Sequence, residues 1–197
     1  MNNFTEKKFI IPELRGISKR TIEEHLKLYA GYVKNANHIL EKIGEYASAS
    51  EQHAYALGEL QRRFSFEHGG MRNHETYFAL LENGPTDLSN ESALRAAIIA
   101  EWGSFDTWLN RFKAIALTRG IGWAMLSYDP IAKRLVHSWT DEQHIGQLSG
   151  VCPIIALDMW EHSYVADYMP SGKKNYVEDF LANMNWEVAE AFFKAAA

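Results

Sequence analysis

The stretch from Ile154 to Tyr164, IIALDMWEHSY, constrains the fold more than any other part of this 197-residue chain. Its apolar, β-branched opening is typical of a short buried strand, and Asp158 comes where that strand should end. One turn of helix after Asp158 would return the side chain of His162 to the same side. An oxygen and a nitrogen would then converge on one point, as in half of a metal site. The spacing also fits a simpler interpretation, in which Asp158 caps the following helix and His162 packs in the core.

Composition limits the class of protein that can carry such a site. Hydrophobic residues make up 47% and aromatic residues 13% of the chain, enough for one sizeable core or two closely packed halves. The net charge of −5 and the absence of a basic block argue against nucleic-acid binding. Residues 1–13 contain no apolar signal segment, no apolar run reaches about 18 residues, and the single Cys152 cannot form an internal disulfide. We therefore expect a cytoplasmic protein with no membrane or nucleic-acid partner.

Helical periodicity dominates the first half of the chain. From Ile22 to Ile43, apolar residues recur every three or four positions and predict a helix of about six turns. Residues 51–64 and 70–81 predict two further helices. The pair Gly69-Gly70 would let the second of these helices begin, or would let another backbone approach.

Short strands appear in the second half, between helical segments. Helices are predicted over residues 93–101, 105–118, 175–184 and 186–195, and strands over residues 123–128, 134–139 and 153–157. The chain thus begins with helices and continues with a small antiparallel sheet wrapped by further helices. This order of elements is typical of the α+β class. We predict an N-terminal helical hairpin domain, residues 1–86, followed by a C-terminal α/β domain with a three-stranded antiparallel sheet, residues 87–197.

Two further histidines could complete the site that Asp158 and His162 begin. His25 lies at the edge of an apolar helical stripe and His74 lies within another, where an unpaired imidazole would be costly. A helical hairpin can bring both imidazoles to one point. Three neutral imidazoles and one carboxylate suit iron, manganese or zinc and leave a coordination position open. Spacing alone leaves the alternative that all four are independent structural residues.

The chain resembles the iron/manganese superoxide dismutases from about residue 10 to residue 195. The most specific match is DMWEHSY at residues 158–164, which fits the family pattern D-x-W-E-H-[AS]-Y. Supporting matches are TIEEH followed by Tyr32-Val33, then GGMRNH, GSF, GIGW and the helix after Asn185-Trp186.

This resemblance implies one iron or manganese ion per subunit, with a solvent molecule as fifth ligand. The protein ligands would be His25, His74, Asp158 and His162. The implied reaction converts superoxide to oxygen and hydrogen peroxide, which needs a metal with two oxidation states one electron apart and so excludes zinc as the working metal. The resemblance also implies a homodimer in which Glu161 contacts His162 of the partner subunit and Tyr164 lies in the same interface. A tetramer is the alternative assembly.

Aromatic residues around the metal also receive roles from the resemblance. Tyr32 would be the gate and a member of the proton network, with Trp123 and Trp160 as apolar walls. This tyrosine follows the first ligand by seven residues rather than the family's usual eight, which predicts a helix without a local bulge. The family's gateway histidine is absent, and Leu28 or Tyr29 stands in its place.

The residue that contacts the metal-bound solvent has to be inferred from a second part of the chain. Iron-type members tend to carry a glutamine where this chain has Gly70. The contact should then come from residues 141–144, as in manganese-type members, and we expect His144 rather than Gln143 to make it. These features do not choose between iron and manganese, and we expect activity with either.

Two alternatives from other classes stay open. A mononuclear non-haem oxygenase usually has two histidines and a carboxylate with several open positions, whereas a third histidine fills one of them here. A metal-free interaction protein on the same fold would have no need for four intact candidate ligands.

Overall fold

The computed structural model describes residues 3–197, which form six α-helices, two 3₁₀ turns and one three-stranded sheet. The helices are α1 (Lys19–Ala47), α2 (Ala54–Ala79), α3 (Ala93–Trp102), α4 (Phe105–Ala116), α5 (Lys173–Asn183) and α6 (Trp186–Ala196). The strands are β1 (Gly122–Asp129), β2 (Arg134–Asp141) and β3 (Cys152–Asp158). The predicted α+β order of a helical hairpin followed by an α/β domain is confirmed. Within residues 3–197, no helix combines the length and the apolarity that crossing a membrane requires.

The first two helices pack along each other as a hairpin. Of the two caps that the sequence allows for α1, the structure uses Ser18, whose hydroxyl accepts the backbone N–H of Thr21 at 3.2 Å. The buried face of α1 carries His25, Tyr29 and Val33. Because α2 covers this face, the side chain of His25 is directed at α2.

The second helix runs unbroken through a region where the sequence predicted two separate helices. Gly69 and Gly70 lie inside α2 rather than at a helix start. A Cβ atom at Gly69 would overlap the carbonyl oxygen of Gln143, and one at Gly70 would overlap the ring of Tyr32. The glycine pair therefore serves the other purpose that the sequence allowed, the close approach of neighbouring groups.

The sheet has the order β2–β1–β3, with all neighbours antiparallel and β1 buried along nearly its whole length. Its register pairs Trp123 with Asp158 on β3 and with Thr140 on β2. Facing residues of an antiparallel pair lie on the same side of the sheet. Asp158 and Trp123 therefore share one face, and α2 covers it, since the ring of Trp123 lies 5.0 Å from that of His74.

One aromatic core joins the two halves of the molecule. The ring of Tyr77 on α2 stacks on Phe180 of α5, with 5.3 Å between centroids and 17° between planes. Phe78, the next residue of α2, packs against His25. Both α2 residues are fully buried. The seam between the helical hairpin and the sheet is thus lined by buried aromatic rings, and the candidate ligands lie along it.

Candidate metal centre

Three imidazoles converge on one carboxylate oxygen at this seam. The Nε2 atoms of His25, His162 and His74 lie 3.0, 3.2 and 3.6 Å from Oδ2 of Asp158. One possible ligand atom from each residue lies within 4.8 Å of the others. The four residues come from α1, α2, the end of β3 and the turn that follows it. The structure therefore brings together all four candidates that the sequence singled out.

The chain after β3 returns His162 by a different route from the predicted helical turn. Trp160 is extended, and a 3₁₀ turn follows over Glu161–Ser163. The backbone N–H of Trp160 donates to Oδ1 of Asp158 at 2.8 Å, and the Ser163 hydroxyl donates to the backbone carbonyl of Asp158 at 3.0 Å. Asp158 does not cap this turn, whose first flanking residue is Trp160, but one of its carboxylate oxygens holds the backbone of the turn while the other faces the histidines.

Burial sets the protonation states of these groups. His25, His74 and Asp158 are almost completely buried. Burial, helped by the positive charge that His25 would carry, lowers the pKa of His74 to about 3 against the opposing effect of Asp158. Burial also lowers the pKa of His25, against the opposing effect of Asp158. At neutral pH both imidazoles are uncharged and have a lone pair free for a cation.

For the carboxylate of Asp158, the effect of neighbouring groups on the pKa is larger than the effect of burial. Burial by itself raises the pKa of Asp158, but the charge and hydrogen bond of His162 and the hydrogen bond of His25 outweigh it and lower the pKa well below its ordinary value. Asp158 is therefore ionised at neutral pH. A buried anion beside the two uncharged imidazoles of His25 and His74 is the donor state that a metal ion requires.

His74 shows that this site fits a cation. Its Nδ1 lies 2.6 Å from the backbone oxygen of Gly70, which can only accept, so Nδ1 carries the hydrogen and Nε2 carries the lone pair. That Nε2 is buried and has no hydrogen-bond partner within residues 3–197. An unpaired buried nitrogen is costly, and a metal ion removes the cost. Three imidazole nitrogens with one carboxylate oxygen suit iron, manganese or zinc.

The segment after β2 supplies Gln143, and not His144, to the surroundings of the ligands. The indole Nε1 of Trp123 donates to Oε1 of Gln143 at 3.0 Å, and Nε2 of Gln143 donates to the hydroxyl of Tyr32 at 3.0 Å. The ring of His144 instead lies 5.8 Å from that of Phe66. Gln143, rather than the expected His144, therefore lies beside the candidate ligands, and which of the two contacts a metal-bound solvent stays a prediction.

Backbone geometry explains this placement. Glu142 adopts a left-handed conformation, with φ of 51°, so the chain bends sharply before Gln143. The Gln143 carbonyl packs against Gly69 and accepts a hydrogen bond from Nδ2 of Asn73 at 3.1 Å. The side chain of Gln143 is fully buried as a result. The Gly69-Gly70 pair is the sequence feature that could have pointed to this contact.

Aromatic rings surround the ligands as expected. Tyr32 and Trp123 each lie 5.0 Å from the ring of His74, and Trp160 lies 5.8 Å from that of His162. The indole N–H of Trp160 donates to the backbone carbonyl of Glu142 at 2.9 Å, which ties this wall to the turn before Gln143.

An ion pair between a half-exposed arginine and a buried glutamate beside Tyr32 was not anticipated from the sequence. Glu67 is almost completely buried and binds Nε of Arg63 at 2.8 Å, one helical turn earlier on α2. Burial raises the pKa of Tyr32, and the negative charges of Asp158 and Glu67 add to that effect. The phenol therefore keeps its proton at neutral pH. The signal for the pair was the four-residue spacing of an arginine and a glutamate just before the two glycines.

Neither Leu28 nor Tyr29, the two residues that stand where the family has its gateway histidine, directs a polar group toward the candidate ligands. Leu28 is exposed. Tyr29 is fully buried, but its hydroxyl donates to Glu75 at 3.2 Å and accepts the backbone N–H of Lys7 at 2.9 Å. The hydrogen-bond connection of Tyr32 therefore runs to Gln143 instead of to a residue of its own helix.

The two expected interface residues differ in exposure. Glu161 is exposed at the start of the 3₁₀ turn. Tyr164 is only 5% exposed, and its ring stacks on Tyr176 at 5.3 Å. The side chain of His162 keeps 23% of its surface exposed, more than any other residue of the ligand cluster. Contact across a subunit interface stays a prediction.

Fold and site together define a class of metalloprotein in which a helical hairpin and an α/β domain each contribute two ligands. Residues 14–82 match the model of the α-hairpin domain of the iron/manganese superoxide dismutases, and residues 90–192 match that of their C-terminal domain. The chain belongs to the iron/manganese superoxide dismutase family.

Individual relatives are named for both metals. An iron superoxide dismutase of Cupriavidus metallidurans is 36% identical over 187 residues, which cover 93% of this chain and 92% of that protein. An iron superoxide dismutase of Aquifex aeolicus is 34% identical over 188 residues, or 93% of this chain and 87% of that protein. A manganese superoxide dismutase of Mycolicibacterium paratuberculosis is 35% identical over 173 residues, which cover 87% of this chain and 82% of that protein. The predicted family, fold and enzyme class are confirmed, and these relatives do not select the metal.

Proposed function

We propose that this protein is a superoxide dismutase with one iron or manganese ion per chain, held by His25, His74, Asp158 and His162. The observation that carries the proposal is the convergence of three imidazole Nε2 atoms on one buried carboxylate, in a chain of this family. A metal bound here, with two oxidation states one electron apart, would supply the chemistry that oxidises one superoxide to oxygen and reduces another to hydrogen peroxide.

The ligand set makes the site attractive to an anion. Asp158 is its only anionic ligand, and burial keeps His25 and His74 uncharged, so a divalent or trivalent ion leaves the site with a net positive charge. This local charge draws in superoxide although the whole chain carries a net charge of −5.

Tyr32 and Gln143 serve the proton requirement of the second half-reaction, in which peroxide formation consumes two protons. The Trp123 indole holds the oxygen of the Gln143 amide, so the amide nitrogen faces the Tyr32 oxygen. Because that oxygen accepts from Gln143, the phenolic hydrogen is free to be donated toward the site. We assign Tyr32 as gate and proton donor and Gln143 as the residue that orients solvent at the site. Trp123 and Trp160 exclude bulk water.

We also propose that two copies pair around the 3₁₀ turn. Glu161 is exposed, and the His162 side chain beside it reaches the surface. A two-fold axis at this point lets Glu161 bind Nδ1 of His162 of the partner subunit, which fixes the ring that binds metal. The single cysteine places no demand on an oxidising compartment, and we assign the protein to the cytoplasm.

A matched pair of histidine variants on α2 tests the ligand assignment. His74→Ala should lose metal and dismutase activity together, because it removes a buried ligand. His68→Ala, one and a half turns earlier and outside the ligand cluster, should keep both. Metal retained by His74→Ala would contradict the ligand set. In wild-type protein, a stoichiometric redox metal without dismutase activity would favour the oxygenase alternative, and failure to bind metal would favour the interaction protein.

A further inference from the structure

Three tyrosine rings connect the metal site to the protein surface by contacts that the dismutase reaction does not use. Tyr77 lies against the ligand His25, with 4.9 Å between ring centroids. The hydroxyl of Tyr176 donates to that of Tyr77 at 3.2 Å, and the ring of Tyr168 lies 6.0 Å from that of Tyr176. The first two rings are fully buried, whereas Tyr168 is partly exposed. We call Tyr77, Tyr176 and Tyr168 the tyrosine chain.

The outer end of the tyrosine chain has a proton acceptor. The phenol of Tyr168 donates to Oδ2 of Asp179 at 2.6 Å, and Nε of Arg15 lies 2.7 Å from Oδ1 of the same carboxylate. Gly16 packs directly on this hydrogen bond with φ of 73°, and a Cβ atom there would overlap both the phenol oxygen and the carboxylate. The phenol and its acceptor are thus held together by the backbone on one side and by an arginine on the other.

The inner members of the tyrosine chain have no such acceptor. Within residues 3–197, no carboxylate accepts a hydrogen bond from Tyr77 or Tyr176. A tyrosine that loses an electron becomes strongly acidic and must release its phenolic proton to a base. A buried ring without a base would have to hold a positive charge in a poorly polarisable interior, which is unfavourable. Of the three tyrosines, Tyr168 is therefore the one at which loss of an electron is most favourable.

We propose that the tyrosine chain delivers an electron from Tyr168 to the metal site when hydrogen peroxide is reduced there by one electron, which makes Tyr168 a protective oxidation site. The inference rests on the proposed dismutase function, which supplies both the reduced metal and the peroxide. A reduced metal held by the four ligands would supply the one electron that splits hydrogen peroxide into hydroxide and hydroxyl radical. The radical takes an electron through Tyr77 and Tyr176 and becomes a second hydroxide. Tyr168 loses that electron, its proton moves to Asp179, and a neutral tyrosyl radical remains.

The test uses the full chain loaded with iron(II) and mixed with stoichiometric hydrogen peroxide in the presence of a nitroso spin trap. Peptide mass spectrometry then locates the trapped radical, and we expect it on Tyr168. Tyr176→Phe keeps an aromatic ring but replaces the phenol with a group that is much harder to oxidise. In this variant the Tyr168 adduct should fall to the level of metal-free protein, and oxidation should move to Tyr77 and to the ligand His25.

A second variant tests the proton acceptor. Asp179→Asn should lower the Tyr168 adduct roughly tenfold, the rate factor that corresponds to one charge-assisted hydrogen bond, because the amide cannot take the proton. The matched control is Tyr128→Phe, since Tyr128 on β1 packs against Phe193 and lies outside the tyrosine chain. This control should leave the adduct unchanged.

The outcomes separate the tyrosine chain from the dismutase function. Oxidation confined to Tyr32, Trp123 or Trp160 in the wild type overturns the proposal. A Tyr168 adduct that Tyr176→Phe does not reduce overturns it as well. Dismutase activity is measured on the same samples: active protein without a Tyr168 adduct overturns the tyrosine chain alone. An adduct in protein without dismutase activity supports the tyrosine chain and overturns the proposed function.

Discussion

At the scale of single residues, the buried Gln143 joins three segments of the chain around the candidate ligands. Its amide links Trp123 to Tyr32, and its backbone carbonyl is held by Asn73 and packed on Gly69. Replacing its side chain therefore changes the surroundings of the metal without removing a ligand.

Gln143→Ala should lower dismutase activity about 10- to 100-fold while the metal is retained, which is the usual cost of losing a residue that orients the ligand surroundings. His144→Ala, the adjacent control, should change activity by less than about twofold because its ring packs on Phe66. Metal content and dismutase rates of both variants decide the matter. A larger loss in His144→Ala than in Gln143→Ala would restore the original preference for the histidine.

At the scale of secondary-structure elements, the continuity of α2 is the feature that positions the site. The helix carries His74 and also the two glycines that admit Tyr32 and the Gln143 carbonyl. Two glycines on this helix, Gly70 and Gly58, allow packing and helix propensity to be separated.

Gly70→Ala should destabilise the protein by about 1–3 kcal/mol, because the new methyl group overlaps the Tyr32 ring and forces a shift. Gly58→Ala meets no atom within 4 Å and should stabilise the protein by about 0.5–1 kcal/mol through helix propensity. Urea unfolding of the two variants measures both effects. Equal effects of the same sign would show that the glycines are not there for close packing.

The start of α3 supports a prediction about acid stability. Glu190 of α6 accepts hydrogen bonds from the Ser92 hydroxyl at 2.5 Å and from the backbone N–H of Leu94 at 2.9 Å. Burial by itself raises the pKa of Glu190, but these hydrogen bonds and the nearby Lys194 outweigh it and lower the pKa to about 2. A carboxyl group whose pKa is lower in the folded than in the unfolded state stabilises the fold at pH values above its unfolded-state pKa. This stabilisation is lost as the pH falls toward the folded-state pKa.

Glu190→Gln should therefore cost about 2 kcal/mol of unfolding free energy at pH 7, typical of hydrogen bonds to a charged group at a helix start. The difference from wild type should shrink as pH falls from about 4.5 toward 2, where the native carboxyl becomes protonated. Denaturant unfolding of both proteins at several pH values measures this. A difference that does not depend on pH would mean that the carboxylate charge plays no part in holding α3.

The helices and strands could largely be predicted because local patterns determine them, and the resemblance to the family supplied the four residues that the structure brings together. The strands were expected to within two residues at each end, and His74 stood out by lying in an apolar helical face. The unbroken α2 and the inward Gln143 depend on contacts between segments about 70 residues apart and on a left-handed turn at Glu142. Such contacts leave little trace in a local pattern, and the glycine pair alone was compatible with a helix start. The division of domains at residues 86 and 87 stays a prediction.

At the scale of the whole molecule, the proposed dimer couples two metal sites through Glu161. Glu161→Ala should weaken dimerisation and lower activity, because the His162 ring of the partner subunit loses the group that orients it. Glu51→Ala, an exposed residue at the far turn between α1 and α2, serves as the control and should leave both unchanged. Sedimentation over a range of concentrations, with activity measured in parallel, detects the change. A fully active Glu161→Ala dimer would exclude the cross-subunit role.

The central claim is that the four converging side chains hold a redox metal that dismutates superoxide. Loading the apoprotein separately with iron, manganese and zinc, and then measuring metal content and dismutase rate of each form, tests it most directly. The account predicts about one ion per chain in each case, with activity for iron and manganese and none for zinc, which has a single accessible oxidation state. Bound iron and bound manganese that both leave the protein inactive would contradict the account.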